Sequence, residues 1–171
     1  MTNFIIRDAN IGDIAQIHAI YSQSVIEDTA SWEYDPPTLQ EMQRRYDALL
    51  SENFPYLVAV KGDEVLGYAY AGHYRPRIGY RFCVENSIYV SKTNQGIGVG
   101  KALLKSLVNE CETRGFTEII AVIGDSANTA SIALHKSCGF YHVGLLPKVG
   151  FKFNKWLDSV LMQCSIAKAN K

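Results

Sequence analysis

Apolar positions change their period repeatedly along the chain, and each change predicts an element. Residues 4–7 form a short β-rich run; then Ile14, Ile17, Tyr21 and Val25 recur every three or four residues, which predicts an amphipathic helix. Residues 29–37 break the pattern. Thr38-Leu39-Gln40-Glu41 has the Ser/Thr-x-x-Glu form that satisfies orphan amides at a helix start, so a second helix is expected through about Leu50. β-rich runs over 56–60 and 65–70 flank Lys61-Gly62-Asp63-Glu64, where Gly-Asp suits a tight reversal between antiparallel strands. Another strand is expected over 82–90. From Gly96 onward the period is helical, with Val99, Leu103, Leu107 and Cys111 four residues apart and Gly115 closing the helix. Residues 118–123 are almost continuously apolar, as in a strand covered on both faces and suited to parallel pairing. A short helix over 128–138 stops at Gly139, and runs over 141–146 and 156–166 supply two last strands.

The order β-α-α-β-β-β-α-β-α-β-β predicts an α/β (α+β) sheet domain. No repeat, linker or low-complexity tract interrupts it, so residues 1–166 are expected to form one domain and 167–171 a loose C-terminal tail. A chain of 171 residues hides roughly 70% of its unfolded surface, enough for a single core. The composition, 47% hydrophobic and 20% charged, is that of a globular protein rather than a disordered one.

Charge and cysteine usage narrow the partners. Seventeen basic side chains balance seventeen acidic ones, leaving no field to gather nucleic acid. The apolar runs are shorter than the roughly 20 residues that cross a bilayer, and the N-terminus does not read as a signal peptide. No nucleic-acid or membrane partner and a cytoplasmic location are therefore expected. Cys83, Cys111, Cys138 and Cys164 stand far apart without a Cys-x-x-Cys pair, so buried free thiols are expected rather than a zinc or redox site, and no metal is called for.

The chemistry concentrates in Gln95-Gly96-Ile97-Gly98-Val99-Gly100-Lys101, which takes a strand into a helix through three glycines. Glycine lets main-chain amides approach a bulky anion, and the helix N-terminus adds unpaired N–H groups and a positive dipole end. A pyrophosphate suits such a turn. A Walker A loop would need glycine at Gln95 and a hydroxyl at Ala102, and a Rossmann reading puts Lys101 or Leu103 on its third glycine, so ATP and NAD lose ground.

Gln95-x-x-Gly98-x-Gly100 resembles the acetyl-CoA signature Gln/Arg-x-x-Gly-x-Gly/Ala of GNAT acetyltransferases, and residues 128–140, ending in Gly139-Phe140, resemble that superfamily's second cofactor segment. Residues 67–72, 80–90, 121–124 and 149–158 extend the resemblance over nearly the whole chain, to the phosphinothricin and methionine sulfoximine N-acetyltransferase family. The resemblance implies a mixed, mostly antiparallel sheet flanked by helices, with acetyl-CoA entering where two parallel strands splay. Amides of Gly96, Ile97, Gly98, Val99, Gly100 and Lys101 would hold the pyrophosphate. The backbone of Ile88, Tyr89 and Val90 would pair with the pantetheine arm, as an added strand pairs with an edge, and Asn128 would contact the same arm. The implied reaction is direct acetyl transfer to the free amine of a small amino-acid-like substrate. Alternatives are another amine (a protein N-terminus, a polyamine or an aminoglycoside) or a non-catalytic CoA-binding module. A homodimer is also implied.

Within this frame Glu85 is the candidate base, the only charged residue of its strand; desolvation should raise its pKa and let it take the amine's proton. Arg75, Arg77 and Arg81, with Pro76 and Tyr80 between them, are candidates for an acidic group on the substrate, Arg75 and Arg77 first. Solvated loop arginines are the plain alternative. Trp32 is either a pocket wall, as the resemblance suggests, or ordinary core. His135 stands where many GNAT enzymes have the tyrosine that protonates the leaving thiolate; it either donates in that role or is structural. Cys83 as an acyl carrier has no histidine partner in its strand, so direct transfer is preferred.

Overall fold

The computed structural model describes residues 3–166. The elements run β1 (Ile5–Asp8), α1 (Ile14–Glu27), α2 (Leu39–Ser51), β2 (Tyr56–Lys61), β3 (Glu64–His73), β4 (Cys83–Val90), α3 (Val99–Thr113), β5 (Glu118–Gly124), α4 (Thr129–Ser137), β6 (Tyr141–Lys152) and β7 (Lys155–Ser165). This is the expected order. The strands form one seven-stranded sheet, β1-β2-β3-β4-β5-β7-β6. Every neighbouring pair is antiparallel except β4 and β5, which are parallel. A mixed, mostly antiparallel sheet flanked by helices is therefore the fold.

Alternation along the strands feeds two cores. On β2, Leu57 and Ala59 join Leu103, Leu104 and Leu107 of α3 in one cluster. Tyr56, Val58 and Val60 join Ile17, Val25, Met42 and Tyr46 of α1 and α2 in the other. The second core carries a tyrosine stack: Tyr56 lies 5.0 Å from Tyr70 and Tyr68 lies 5.3 Å from Tyr89, ring to ring. Its edge closes on α1, where Tyr21 meets Tyr89 edge-on at 5.1 Å.

Local signals hold where they were read. Thr38 Oγ accepts the Glu41 amide at 3.1 Å and caps α2. The Glu41 carboxylate, however, does not return to the cap; it takes Arg44 and Arg45 instead. Gly115 sits past α3 at φ 83°, the left-handed conformation a helix terminator favours. β6 continues past Leu146 to Lys152 through a register shift between Leu146 and Gly150. It is an edge strand, where Pro147 costs no ladder bond, so the strand runs on past it. Cys111 and Cys164 are buried, whereas Cys83 and Cys138 are only half-buried. Among the described residues, no helix is long and apolar enough to cross a membrane. Residues 167–171, expected to be a loose tail, lie outside the described residues.

Candidate active site

The sheet opens where its only parallel pair comes apart. β4 and β5 are in register from Cys83↔Glu118 to Asn86↔Ala121. Beyond that point β4 stays bound to β3 as far as Val90↔Gly67, and β5 to β7 as far as Gly124↔Ser159. The β5-facing main chain of residues 87–90 therefore has no strand beside it. Two adjoining chambers fill the gap. The inner one, about 350 Å³, is bounded by Trp32, Glu33, Glu85, Asn86, Gly124 and His135 among others. The outer one, about 530 Å³, runs along Ile88, Tyr89 and Val90 to Gln95, Asn128 and Leu134.

The glycine turn stands at the outer chamber's end. Gly96 and Gly98 have φ of 77° and 93°, and nothing lies within 4 Å of where a Cβ would sit on either. Glycine is needed at both for the backbone, and the space a side chain would take is open for a ligand. Gly100 has another job: its Cβ position is 3.3 Å from Leu134 and 3.6 Å from Val90, so it lets α3 pack closely on α4 and β4. Gly98 caps α3, and the Ala102 amide closes the first turn on the Gly98 carbonyl at 3.0 Å. The amides of Val99, Gly100 and Lys101 precede that closure and lack an intrahelical acceptor, which makes an anion site of the helix start. The turn thus fits a pyrophosphate, and the bare edge of β4 fits an extended arm. Asn128 borders both chambers, and its Oδ1 accepts the Ser131 amide at 3.2 Å as the cap of α4.

Glu85 lies at the chamber floor, one residue before the splay, and borders both the inner chamber and a neighbouring groove with Arg45, Tyr70 and Ser87. Burial pushes its carboxyl above the ordinary value, with no charged partner opposing it. A carboxylate so placed can accept a proton at neutral pH. Cys83, two residues earlier, has its thiol pushed up by burial and then by Glu118, so thiolate is disfavoured there.

Next to Glu85, Asn86 points to the opposite face and meets α4. Asn86 is 6% and His135 2% exposed. The His135 Nδ1–H donates to the Ser131 carbonyl at 2.8 Å, and its Nε2 accepts from Asn86 Nδ2 at 3.0 Å. Burial lowers the ring's pKa, so it is neutral. Its one hydrogen is thus held by a carbonyl and its lone pair faces an amide, an arrangement that suits the structural alternative for His135 better than proton donation. Asn86 Oδ1 has no partner.

The wall of the inner chamber is the segment after α1. Trp32 lies flush on Gly124 and Gly150, where any Cβ would strike the indole or the Thr29 carbonyl, so Trp32 is a pocket wall and not free core. Glu33 accepts Arg45 Nη2 at 2.8 Å on one oxygen, while the other is buried without a partner. Sequence reasoning missed Asn86, Glu33 and Arg45; the first follows a candidate base by one residue, and the others read as ordinary surface charges.

Arg75, Arg77 and Arg81 are not brought into the chamber. Their segment leaves β3 after His73 and returns at Cys83, so it skirts the rim beside the Gly72↔Glu85 pair without lining the cavity. Aromatic neighbours within the segment hold two of the guanidiniums: Arg75 sits 5.2 Å from the Tyr74 ring and 5.9 Å from the Tyr80 ring, and Arg81 4.4 Å from Phe82. Pro76 and Tyr80 likewise stay outside the chamber.

Comparison with known proteins bears on this geometry. Residues 6–161 match the acetyltransferase (GNAT) domain. The chain is 48% identical over 159 residues to phosphinothricin N-acetyltransferase of Alcaligenes faecalis, covering 93% of this chain and 79% of that one. It is 41% identical over 162 residues to the L-methionine sulfoximine/L-methionine sulfone acetyltransferase of Pseudomonas aeruginosa, covering 94% of each. Among solved structures, a GNAT superfamily phosphinothricin acetyltransferase from Sinorhizobium meliloti in complex with acetyl-CoA superposes with a TM-score of 0.93 at 42% identity, covering 99% of this chain and 93% of that one.

Proposed function

The chain belongs to the GNAT acetyltransferase family and is an acetyl-CoA-dependent N-acetyltransferase; from that premise we propose that its acceptor is the α-amine of a small amino acid bearing a second acidic or sulfonyl-type group, as the names of its relatives describe for them. Acetyl-CoA supplies a thioester acyl donor. The glycine turn and the amides of Val99, Gly100 and Lys101 hold its pyrophosphate, and the unpaired edge of residues 87–90 holds its arm and polarises the acyl carbonyl. Glu85 takes the amine's proton, directly or through water. An amine of pKa near ~8 is mostly protonated at neutral pH and cannot attack until that proton leaves. The observation that carries this reading is the coincidence at one place of the strand splay and a half-buried, partly desolvated carboxylate without a counter-charge.

The acceptor's acidic end is directed to the rim, toward Arg75 and Arg77. A guanidinium over an exposed ring is held by about 0.5–1 kcal/mol, whereas a charge-assisted hydrogen bond contributes about 1.5–3. A substrate anion therefore draws Arg75 from its tyrosines. A cationic acceptor would want acidic groups there instead. The enzyme works as a homodimer through the exposed apolar face of the edge strand, including Val143, Leu145, Val149 and Phe151 with Trp156 beside them. Its place is the cytoplasm, which holds acetyl-CoA and keeps thiols reduced.

Thiol release from acetyl-CoA is measured with methionine sulfone, methionine sulfoximine, phosphinothricin, a polyamine and an aminoglycoside. Turnover of the first three above the last two is expected. Preference for the cations rejects the acceptor assignment, and no thiol release with any amine favours a CoA-binding module. Light scattering reads the dimer.

A further inference from the structure

One buried cation stands outside the scheme above. Lys152, the last residue of β6, is 2% exposed, yet among the described residues no carboxylate lies within ion-pair distance of its ammonium; Asp28 and Glu33 act on it only from farther off. Instead Nζ donates to the main-chain carbonyls of Asp28, at 2.9 Å, and Ser31, at 2.8 Å, and lies 5.0 Å from the Phe153 ring. The Asp28 carboxylate is otherwise engaged, accepting Ser24 Oγ at 2.8 Å and the Ala30 amide at 2.9 Å. An ammonium removed from water must be solvated by fixed acceptors, and the two carbonyls that do so bracket Thr29 and Ala30.

The same segment is fastened to β6 at two more points. Trp32 lies on Gly150, and the Tyr34 hydroxyl donates to the Phe151 carbonyl. Three consecutive β6 residues, Gly150, Phe151 and Lys152, therefore carry the segment that walls the chamber with Ala30, Ser31, Trp32 and Glu33. Of the three ties, only the lysine brings a charge, and a charge has the most to lose if the segment lifts away.

We propose that Lys152 is a positioning residue for the acceptor site: its ammonium clamps residues 28–33 over the inner chamber, so that the amine is bound only while the clamp is closed. The inference rests on the acetyl-transfer reading of that chamber. Acceptor affinity then depends on a residue that touches neither substrate, through the segment it holds.

The test uses Lys152→Met, which keeps the length and loses the donors, and Lys152→Arg, which keeps the charge, each with and without Trp156→Phe so that Trp32 alone reports emission. In Lys152→Met the amine KM is expected to rise about tenfold or more, the scale of one charge-assisted hydrogen bond, while kcat changes less. Trp32 becomes more open to acrylamide, and amide exchange speeds up over 29–33 but not over 118–124. Lys152→Arg recovers part of both. If Lys152→Met folds and leaves Trp32 quenching and exchange over 29–33 as in the parent, or raises them without changing the amine KM, the proposal is overturned. Should Lys152→Met not fold, Lys152→Gln is judged by the same readouts and outcomes. Failure of the parent enzyme to bind acetyl-CoA by titration would sink the acetyl-transfer reading instead, while quenching and exchange still decide whether the lysine clamps the segment.

Discussion

Glu85→Gln separates catalysis from stability. The substitution keeps the size and planarity of the side chain and removes only its ability to hold a proton. A positioned general base contributes about 10²–10⁴-fold, and each decade is about 1.36 kcal/mol of barrier, so kcat/KM should fall by an amount worth about 2.7–5.4 kcal/mol. Folding should not suffer. Burial alone raises this carboxyl, and no cation repays it. A carboxyl whose folded pKa is raised binds its proton more tightly in the native state. Stability therefore falls as pH rises from the ordinary carboxylate value through the raised one, and the glutamine variant should lose that fall and melt at or above the parent's temperature at neutral pH.

The assay is thiol release with methionine sulfone across about pH 5 to about pH 9. The parent should show a limb in which kcat/KM climbs as Glu85 deprotonates, above the usual carboxylate range, beside the amine's own limb near ~8. Glu85→Gln should lack the first limb and keep the second. A variant within about threefold of the parent in kcat/KM, with its acid limb intact, would refute the assignment of the base.

Other substitutions address the remaining parts. Gly98→Ala puts a Cβ at φ 93°, where a left-handed L-residue costs about 1–2 kcal/mol, and into the open space of the turn; calorimetric titration should show weaker acetyl-CoA binding and unfolding a lower midpoint, and unchanged affinity removes the turn from the site. Arg75→Ala and Arg77→Ala should each raise the KM for acidic amines by about tenfold with little change for acetyl-CoA, consistent with a lost charge-assisted bond; if neither moves, the rim proposal fails. Leu103→Ala, in the fully buried face of α3, should cost about 2–5 kcal/mol in denaturant unfolding. Ring NMR of His135 should show protonation only below the ordinary histidine range, and the lowered pKa means stability that is present above about pH 6.5 and lost as pH falls through the ring's own value.

Much of the fold was legible because its signals are local. The helical period of Val99, Leu103, Leu107 and Cys111 and the Gly62-Asp63 reversal lie within a turn or two of themselves, and α3 and the β2–β3 hairpin stand where they were expected. The apolar run over 118–123 announced a strand covered on both faces and suited to parallel pairing, and it became β5, which pairs in parallel with β4. β6 runs beyond the apolar run over 141–146 because Pro147 costs no ladder bond on an edge, and edge position is a property of the sheet.

The site divides along the same line, with a consequence for its design. The glycine turn was readable because ligand geometry acts on consecutive backbone atoms. The Asn86–His135 pair joins residues 49 apart, and Lys152 reaches carbonyls 121 and 124 residues away. Neither has a periodicity to betray it. Both are polar contacts in places where apolar packing would serve stability better, and each supports the chamber: Asn86 and His135 in its wall at the apex of the splay, Lys152 behind the wall, beneath the 28–33 segment. A buried polar contact whose loss leaves an unsatisfied group tolerates few alternative geometries, whereas apolar side chains slide and repack. The chamber therefore takes its shape from hydrogen-bonded supports that span the whole chain, and its acceptor preference should respond to substitutions at Asn86, His135 and Lys152 more sharply than to equally large changes among the exposed residues of α2.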